Sequence, residues 1–325
     1  MGVHRRELLR LAAGGAVLPF VWQCAGTQNY ATGPIRILVG FPAGGPVDIA
    51  ARLIAPWLSE QFGQPFVVEN LPGESGNLAT KAVVNALPDG STLLLCGPVN
   101  TINTTLFQNL GFDFSRDIAP VASLFSVPLV VEVNPSFPAQ TVPEFLALAK
   151  SEPGRIEVGY AGRGTPQHIG IELFKMMAGV DLTLVPYLGS PPALAALLSG
   201  KVDAMFDPLP SSIGHIRGGK LRPLAVTSPT RSEALINVPP MSDFVPGYEA
   251  GSWFGLGAPR HTPDNIIKRL NDTVNAGLRD LKIKARLAEI GGTATAQSPS
   301  DFATFLAKET ERFALVIRTA KITAE

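Results

Sequence analysis

Short β-branched runs alternate with amphipathic stretches along most of the chain. Residues 35–41 ("IRILVGF") predict a strand. Residues 48–63 predict a helix that gathers Ile49, Leu53 and Trp57, with Ile54 and Leu58, on one face. A strand over 65–70 follows, then a glycine-rich turn ("LPGESGN"), a helix over 78–87, a turn at Pro88-Asp89-Gly90 and a strand over 91–97. A second unit with the same rhythm starts near Pro128. It predicts strands over 129–134, 156–162, 182–189, 202–207 and 221–227, and helices over 141–154, 165–179 and 190–200. Two long helical patterns close the chain, 262–290 and 298–320. Each opens on a hydroxyl, a proline and an acid, Thr262-Pro263-Asp264 and Ser298-Pro299-Ser300-Asp301. This alternation predicts an α/β fold with parallel sheets covered on both faces. Two such units predict two lobes and a cleft walled by strand-to-helix loops.

Composition fits a globular chain: of 325 residues, 46% are hydrophobic and 17% charged, with 32 Gly and 29 Pro as punctuation. Lys+Arg 27 balance Asp+Glu 27 without a dense basic cluster, which argues against a nucleic-acid partner. Residues 1–26 read as an export signal: Arg5, Arg6 and Arg10 precede an apolar stretch from Leu11 to Trp22, too short to span a bilayer, with a cut after Gly26. The run His4–Arg10 resembles a twin-arginine signal. Acylation at Cys24 is the rival, but Val21-Trp22-Gln23 is a poor lipobox. Processing leaves 24 basic and 26 acidic residues and one cysteine, Cys96, so no intramolecular disulfide forms. Cys96 ends an apolar strand and reads as a small buried hydrophobe. With no second long apolar segment, the mature chain is expected in the periplasm, soluble and without a transmembrane helix.

Two loops carry candidate chemistry. In "FPAGGPVD", Phe41, Pro42, Ala43, Gly44 and Gly45 lead into a helix whose first turn holds Pro46 and Asp48. Unpaired amides and the helix dipole make such a start a seat for a carboxylate or phosphate. Asp48 reads as a cap. No Lys followed by Ser or Thr comes after the glycines, and GxGxxG is absent, so neither a Walker loop nor a dinucleotide fingerprint is present. In "YAGRGTPQH", Gly162 and Gly164 free the backbone, Thr165 caps, Arg163 offers a fork to a carboxylate, and His168 falls in the first turn. One helix start from each lobe would pinch an anion between them. No GxSxG elbow, HExxH or metal-ligand cluster appears, so no cofactor, metal or catalytic residue is expected.

The blocks "PIRILVGFPAGGPVDIAARL", "LPDGSTLLL", "GRGTPQHIGIELFKMMAGVDLTLVPYLGSPPALAALLSGKVDAMFD", "GGKLRPLAVTSPTRSEALINVPP" and "WFGLGAP" together resemble the Bug family, periplasmic substrate-binding receptors of tripartite tricarboxylate transporters. The likeness covers essentially the whole mature chain. It implies a two-lobed periplasmic-binding-protein (type II) fold, each lobe a sheet flanked by helices, with a small carboxylate in the cleft and membrane transporter subunits as partners. Lobe 1 would comprise 31–128 and 255–325 and lobe 2 129–254, with crossings near Val127–Val131 and Trp253–Leu256. The resemblance also marks Gly189 and Ser190 in the "YLGS" turn and Asp207 in "MFD". Arg163, Ala161, Leu188, Pro208 and Val47 depart from the family's frequent Asn, Ser, Lys or Arg, Asn and Thr. Those changes weaken side-chain hydrogen bonding and leave backbone donors intact. The competing readings are an exported hydrolase-type enzyme acting on a small anion, and a ligand sensor for a signalling receptor.

Overall fold

The computed structural model describes residues 33–323. The export signal expected over 1–26, including its twin-arginine run and Cys24, lies outside these residues. Ten strands form one continuous curled sheet: β1 (Ile35–Val39), β2 (Phe66–Asn70), β3 (Thr92–Cys96), β4 (Ile118–Val133), β5 (Glu157–Tyr160), β6 (Thr183–Pro186), β7 (Ala204–Pro208), β8 (Arg222–Val226), β9 (Gly251–Pro259) and β10 (Thr293–Ala294). Their spatial order is β2-β1-β3-β9-β4-β7-β5-β6, with β8 and β10 also paired to β4. The helices are α1 (Pro46–Phe62), α2 (Asn77–Val84), α3 (Pro98–Leu106), α4 (Phe114–Asp117), α5 (Val142–Ser151), α6 (Pro166–Ala178), α7 (Ser190–Leu198), α8 (Leu209–Arg217), α9 (Asp264–Gly277), α10 (Leu281–Glu289) and α11 (Pro299–Thr319).

Pairing is parallel within β2-β1-β3 and within β7-β5-β6, as the alternating pattern predicts. The middle of the sheet corrects that prediction, because β4 and β9 run antiparallel to their neighbours. Both strands carry the chain across the molecule. Up to Pro128, β4 pairs with β9; from Leu129 onward it pairs with β7 and β8. The return path lies beside it, with Gly251 opposite Pro128 and Trp253 opposite Ser126. Each half of the sheet has its own apolar core. One gathers Ile37, Leu58, Phe62, Phe125, Leu256 and Leu270; the other gathers Val131, Phe145, Phe174, Phe206 and Tyr248. Burying such side chains contributes about 1.5–3 kcal/mol each.

Several elements depart from the sequence reading. The single helix expected over 262–290 is two, because Asp280 turns its carboxylate onto the N–H groups of Lys282 (2.8 Å) and Ile283 (3.2 Å) and starts α10 afresh. Helices α3 and α8 were not predicted. Both follow a strand closely and carry proline in the first turn, Pro98 and Pro210. Ser298 caps α11 as expected, accepting the Asp301 N–H at 3.1 Å. Among the described residues no helix is long and apolar enough to cross a membrane.

Helix α11 rests on β9 where Gly255 leaves no room. A β-carbon there would stand 2.9 Å from the Ala122 carbonyl oxygen and press into the Phe302 ring. Gly255→Ala is expected to destabilise the fold by about 2 kcal/mol. Urea unfolding checks this as a lowered midpoint with unchanged slope.

Candidate functional site

The first turns of five helices line one chamber between the two halves of the sheet. Gly45, Pro46 and Val47 come from α1, Gly97, Pro98 and Val99 from α3, Thr165, Pro166 and Gln167 from α6, Ser190 from α7, and Pro208 precedes α8. Phe41, Ala161, Ser252 and Phe254 complete the wall. About 30 Å³ is open to the centre of a water molecule, room for about two waters. In α1, α3 and α6 proline takes the first helical position, so the first N–H that the helix leaves unpaired belongs to Val47, Val99 and Gln167. Each of these three residues lines the chamber.

Two glycine amides of these loops are engaged within the loops themselves. Gly44, at φ +82°, donates its N–H to Asp48 Oδ2 at 2.9 Å. Asp48 also accepts from Asn70 Nδ2 and Arg52 Nε, both at 2.9 Å, and Asn70 ties the Phe41 carbonyl at 3.0 Å. Burial works to raise the Asp48 carboxyl, but these hydrogen bonds together hold it below the usual carboxylate range. Asp48 is thus a brace for the first loop. In the second loop Gly164 donates its N–H to His168 Nδ1 at 3.3 Å, and Thr165 Oγ1 accepts the His168 N–H at 3.4 Å. The His168 ring stacks on Tyr160 at 5.2 Å. Burial, with help from the Arg163 and Lys175 charges, pushes its pKa down to about 4. It is a neutral acceptor that shapes the loop.

Behind the chamber wall lies a fully buried pair of acids, Asp207 and Glu132. Asp207 accepts from Ser190 Oγ (2.6 Å), Gln167 Nε2 (3.1 Å), Ser212 Oγ (3.1 Å) and Ser211 Oγ. Ser212 Oγ also sits 2.6 Å from Glu132 Oε1, while Glu132 Oε2 has no hydrogen-bond partner. Burial raises Glu132 well above the carboxylate range and the neighbouring Asp207 charge adds to it; burial raises Asp207 against four hydrogen bonds that lower it. The donors therefore favour charge on Asp207 and a proton on Glu132. Gln167 and Ser190, two chamber residues, are fixed in place by this network.

A second cavity of about 270 Å³, in the same measure, adjoins the chamber through Phe41 and Ala161, which line both. Of the residues proposed from sequence, Phe41, Gly45, Thr165 and Ser190 line the chamber, and Pro42, Gly162 and Gly189 line the outer cavity with Phe41. Ala43, Gly44, Asp48, Arg163, Gly164, His168 and Asp207 line neither. The loops of the two halves touch. A β-carbon on Gly189 would stand 2.8 Å from Pro42 Cδ, one on Gly45 3.5 Å from Pro191 Cδ, and one on Gly164 would strike Asn103 Oδ1. The third helix start was missed from sequence, although Gly97-Pro98-Val99 repeats the tripeptide Gly45-Pro46-Val47. Among the described residues no group of three or more His, Cys, Asp or Glu is placed to hold a metal ion. Burial pushes the Cys96 thiol up to about 12, so it is no nucleophile.

Two measurements check these assignments. His168 has a folded pKa of about 4 against an ordinary 6.5, so the unfolded chain binds more protons in that window and stability falls as pH is lowered through it. Between about pH 7 and about pH 5 this amounts to about 2 kcal/mol. In His168→Asn, whose Oδ1 still accepts from Gly164, this part of the pH dependence of urea unfolding is expected to vanish. Glu132→Gln, which mimics the protonated acid, is expected to change stability by less than about 1 kcal/mol, whereas Asp207→Asn costs about 2–3 kcal/mol by leaving donors unmatched. Thermal unfolding at neutral pH separates the two.

Residues 50–322 match the family described as tripartite tricarboxylate transporter family receptor. The chain is 34% identical over 295 residues to Protein BugT of Bordetella pertussis, covering 90% of each chain. Among solved structures it is similar to Rpa4515 of R. palustris with adipate (38% identity, TM-score 0.88, covering 90% of this chain and 98% of that one). It is likewise similar to MatC of Rhodopseudomonas palustris with bound malate (31% identity, TM-score 0.83, covering 88% and 99%). The fold is the type II periplasmic-binding-protein fold, and the role is that of a periplasmic solute-binding receptor rather than an enzyme. By sequence match and architecture alike, the chain belongs to the tripartite tricarboxylate transporter receptor family.

Proposed function

We propose that this receptor captures one small carboxylate in the chamber and presents it to the membrane subunits of a tripartite transporter. The observation that carries the reading is the meeting of three proline-started helix N-termini, two from one half and one from the other, on a chamber with no charged side chain in its wall. The Val47, Val99 and Gln167 amides are the donors for the ligand carboxylate, with Ser190 and Thr165 beside them. Gly44, Gly164, Asp48, His168, Arg163 and Asp207 shape the loops from behind. Residues 31–128 with 255–325 form one lobe and 129–254 the other, and the lobes close by a hinge at the two strand crossings. Such closure is needed, since the small chamber cannot admit a carboxylate without opening. Adipate and malate in two relatives support a carboxylate as guest. Export by the twin-arginine route fits the Arg5-Arg6 run.

Calorimetry with a panel of mono- and dicarboxylates is expected to show one ligand per chain, recovered unchanged, with thermal stabilisation of the protein. Gly164→Val and Gly189→Val introduce side chains where the lobes touch. Each is expected to weaken binding at least about ten-fold, a loss of about 1.4 kcal/mol, with far-ultraviolet circular dichroism unchanged. A panel without a binder, or full affinity in both variants, overturns the reading.

A further inference from the structure

The chamber is one of two joined compartments, and the pair has an unusual charge balance. Neither is lined by a lysine, arginine or histidine. The inner one is backed by Asp207, which accepts from the side chains of Ser190 and Gln167, so those two polar groups of the chamber already serve an acid of the protein itself. The outer one is walled by Phe41, Pro42, Pro72, Tyr187 and Leu188, and its single acid or base of formal charge is Glu74.

The outer compartment is built with some strain. Four successive residues, Gly73, Glu74, Ser75 and Gly76, have φ of 144°, 47°, 53° and 84°. For Glu74 and Ser75 that conformation is costly and persists only when the surroundings enforce it. Asn103 Nδ2 holds the Ser75 carbonyl at 3.1 Å, and Lys81 pairs with Glu74 at 2.7 Å. The loop brings Gly76 against the Phe41 ring, where a β-carbon would stand 3.1 Å from Cε2, and against Gly40, whose own β-carbon would stand 2.8 Å from Gly76 Cα. Phe41 is thereby clamped at the junction of the two compartments.

We infer that the preferred ligand is a monocarboxylate with an apolar body: its carboxylate meets the Val47, Val99 and Gln167 amides, and its chain or ring passes Phe41 into the outer compartment. This rests on the carboxylate reading above and narrows it. A second carboxylate would lie either against the Asp207 side of the chamber or in the apolar compartment with Glu74, where Lys81 is already paired with Glu74 and no other cation lines the wall to offset its lost hydration. The preference departs from the diacids held by the two Rhodopseudomonas relatives.

Matched pairs test it: hexanoate against adipate and benzoate against terephthalate, titrated calorimetrically into the purified chain at neutral pH. The monoacid of at least one pair is expected to bind about ten-fold or more tightly than its diacid. Leu188 is 88% exposed at the rim, and Leu188→Arg is expected to shift the diacid-to-monoacid affinity ratio several-fold toward the diacid. Diacids that bind as well as or better than both monoacids overturn the inference and leave the carboxylate reading standing. An unchanged ratio in Leu188→Arg removes the outer compartment from the ligand path. Silence from all four acids and from malate overturns both readings together.

Discussion

Helix starts that leave amides unpaired, brought together from the two halves of one sheet, are the constraint around which this molecule is organised. An N–H in the first turn of a helix has no carbonyl to meet, and burying it unmet is costly. The protein satisfies some of these groups internally: Gly44 through Asp48, Gly97 through Asn100, Gly164 through His168. On the reading proposed above, others serve the ligand. Proline at the head of α1, α3 and α6 sharpens the division by deleting one donor from each start, so that the next amide is the first on offer. A receptor built this way recognises charge and shape with main chain. On that reading its side chains would set the positions of those amides rather than supply the contacts.

Buried titratable groups fit the same scheme. Asp48, His168 and Asp207 each sit one step behind a loop, and each is matched to its neighbours: Asp48 held below the usual carboxylate range among donors, His168 neutral on Tyr160, and Asp207, raised by burial, met by three serines and a glutamine. Glu132 differs in having one partner and one empty oxygen, and it takes the proton. Two carboxyl groups joined through the Ser212 hydroxyl are tolerable in the dry interior because they carry one charge between them.

Much of this was legible in the sequence. The strand-glycine-proline-helix order at 41–48 and 160–168 located two of the helix starts, and the hydroxyl-proline-acid cap located α11. The third start escaped because Gly97 was read as the end of a strand, although its tripeptide repeats the first loop. The break before α10 was hidden since Leu278 through Ile283 keeps a helical rhythm across Asp280. Pairing of Glu132 with Asp207 was beyond any local pattern. It depends on the antiparallel register that sets Val130 beside Asp207 and Glu132 beside Met205. The internal bonds of Gly44 and Gly164 were hidden for the same reason, as their amides find partners four residues on, in side chains whose direction sequence does not specify.

The long strand β4, shared by both halves, has a mechanical consequence. At the crossing, Pro128 contributes no N–H to the ladder and faces Gly251, so the two connecting strands are least tied to one another where they pass between the halves. On the hinge proposed above, adjacent connections of this kind would leave the molecule one soft rotational axis. Changes confined to that short segment can therefore reset the resting balance between open and closed forms. They would alter apparent affinity while every ligand contact stays intact.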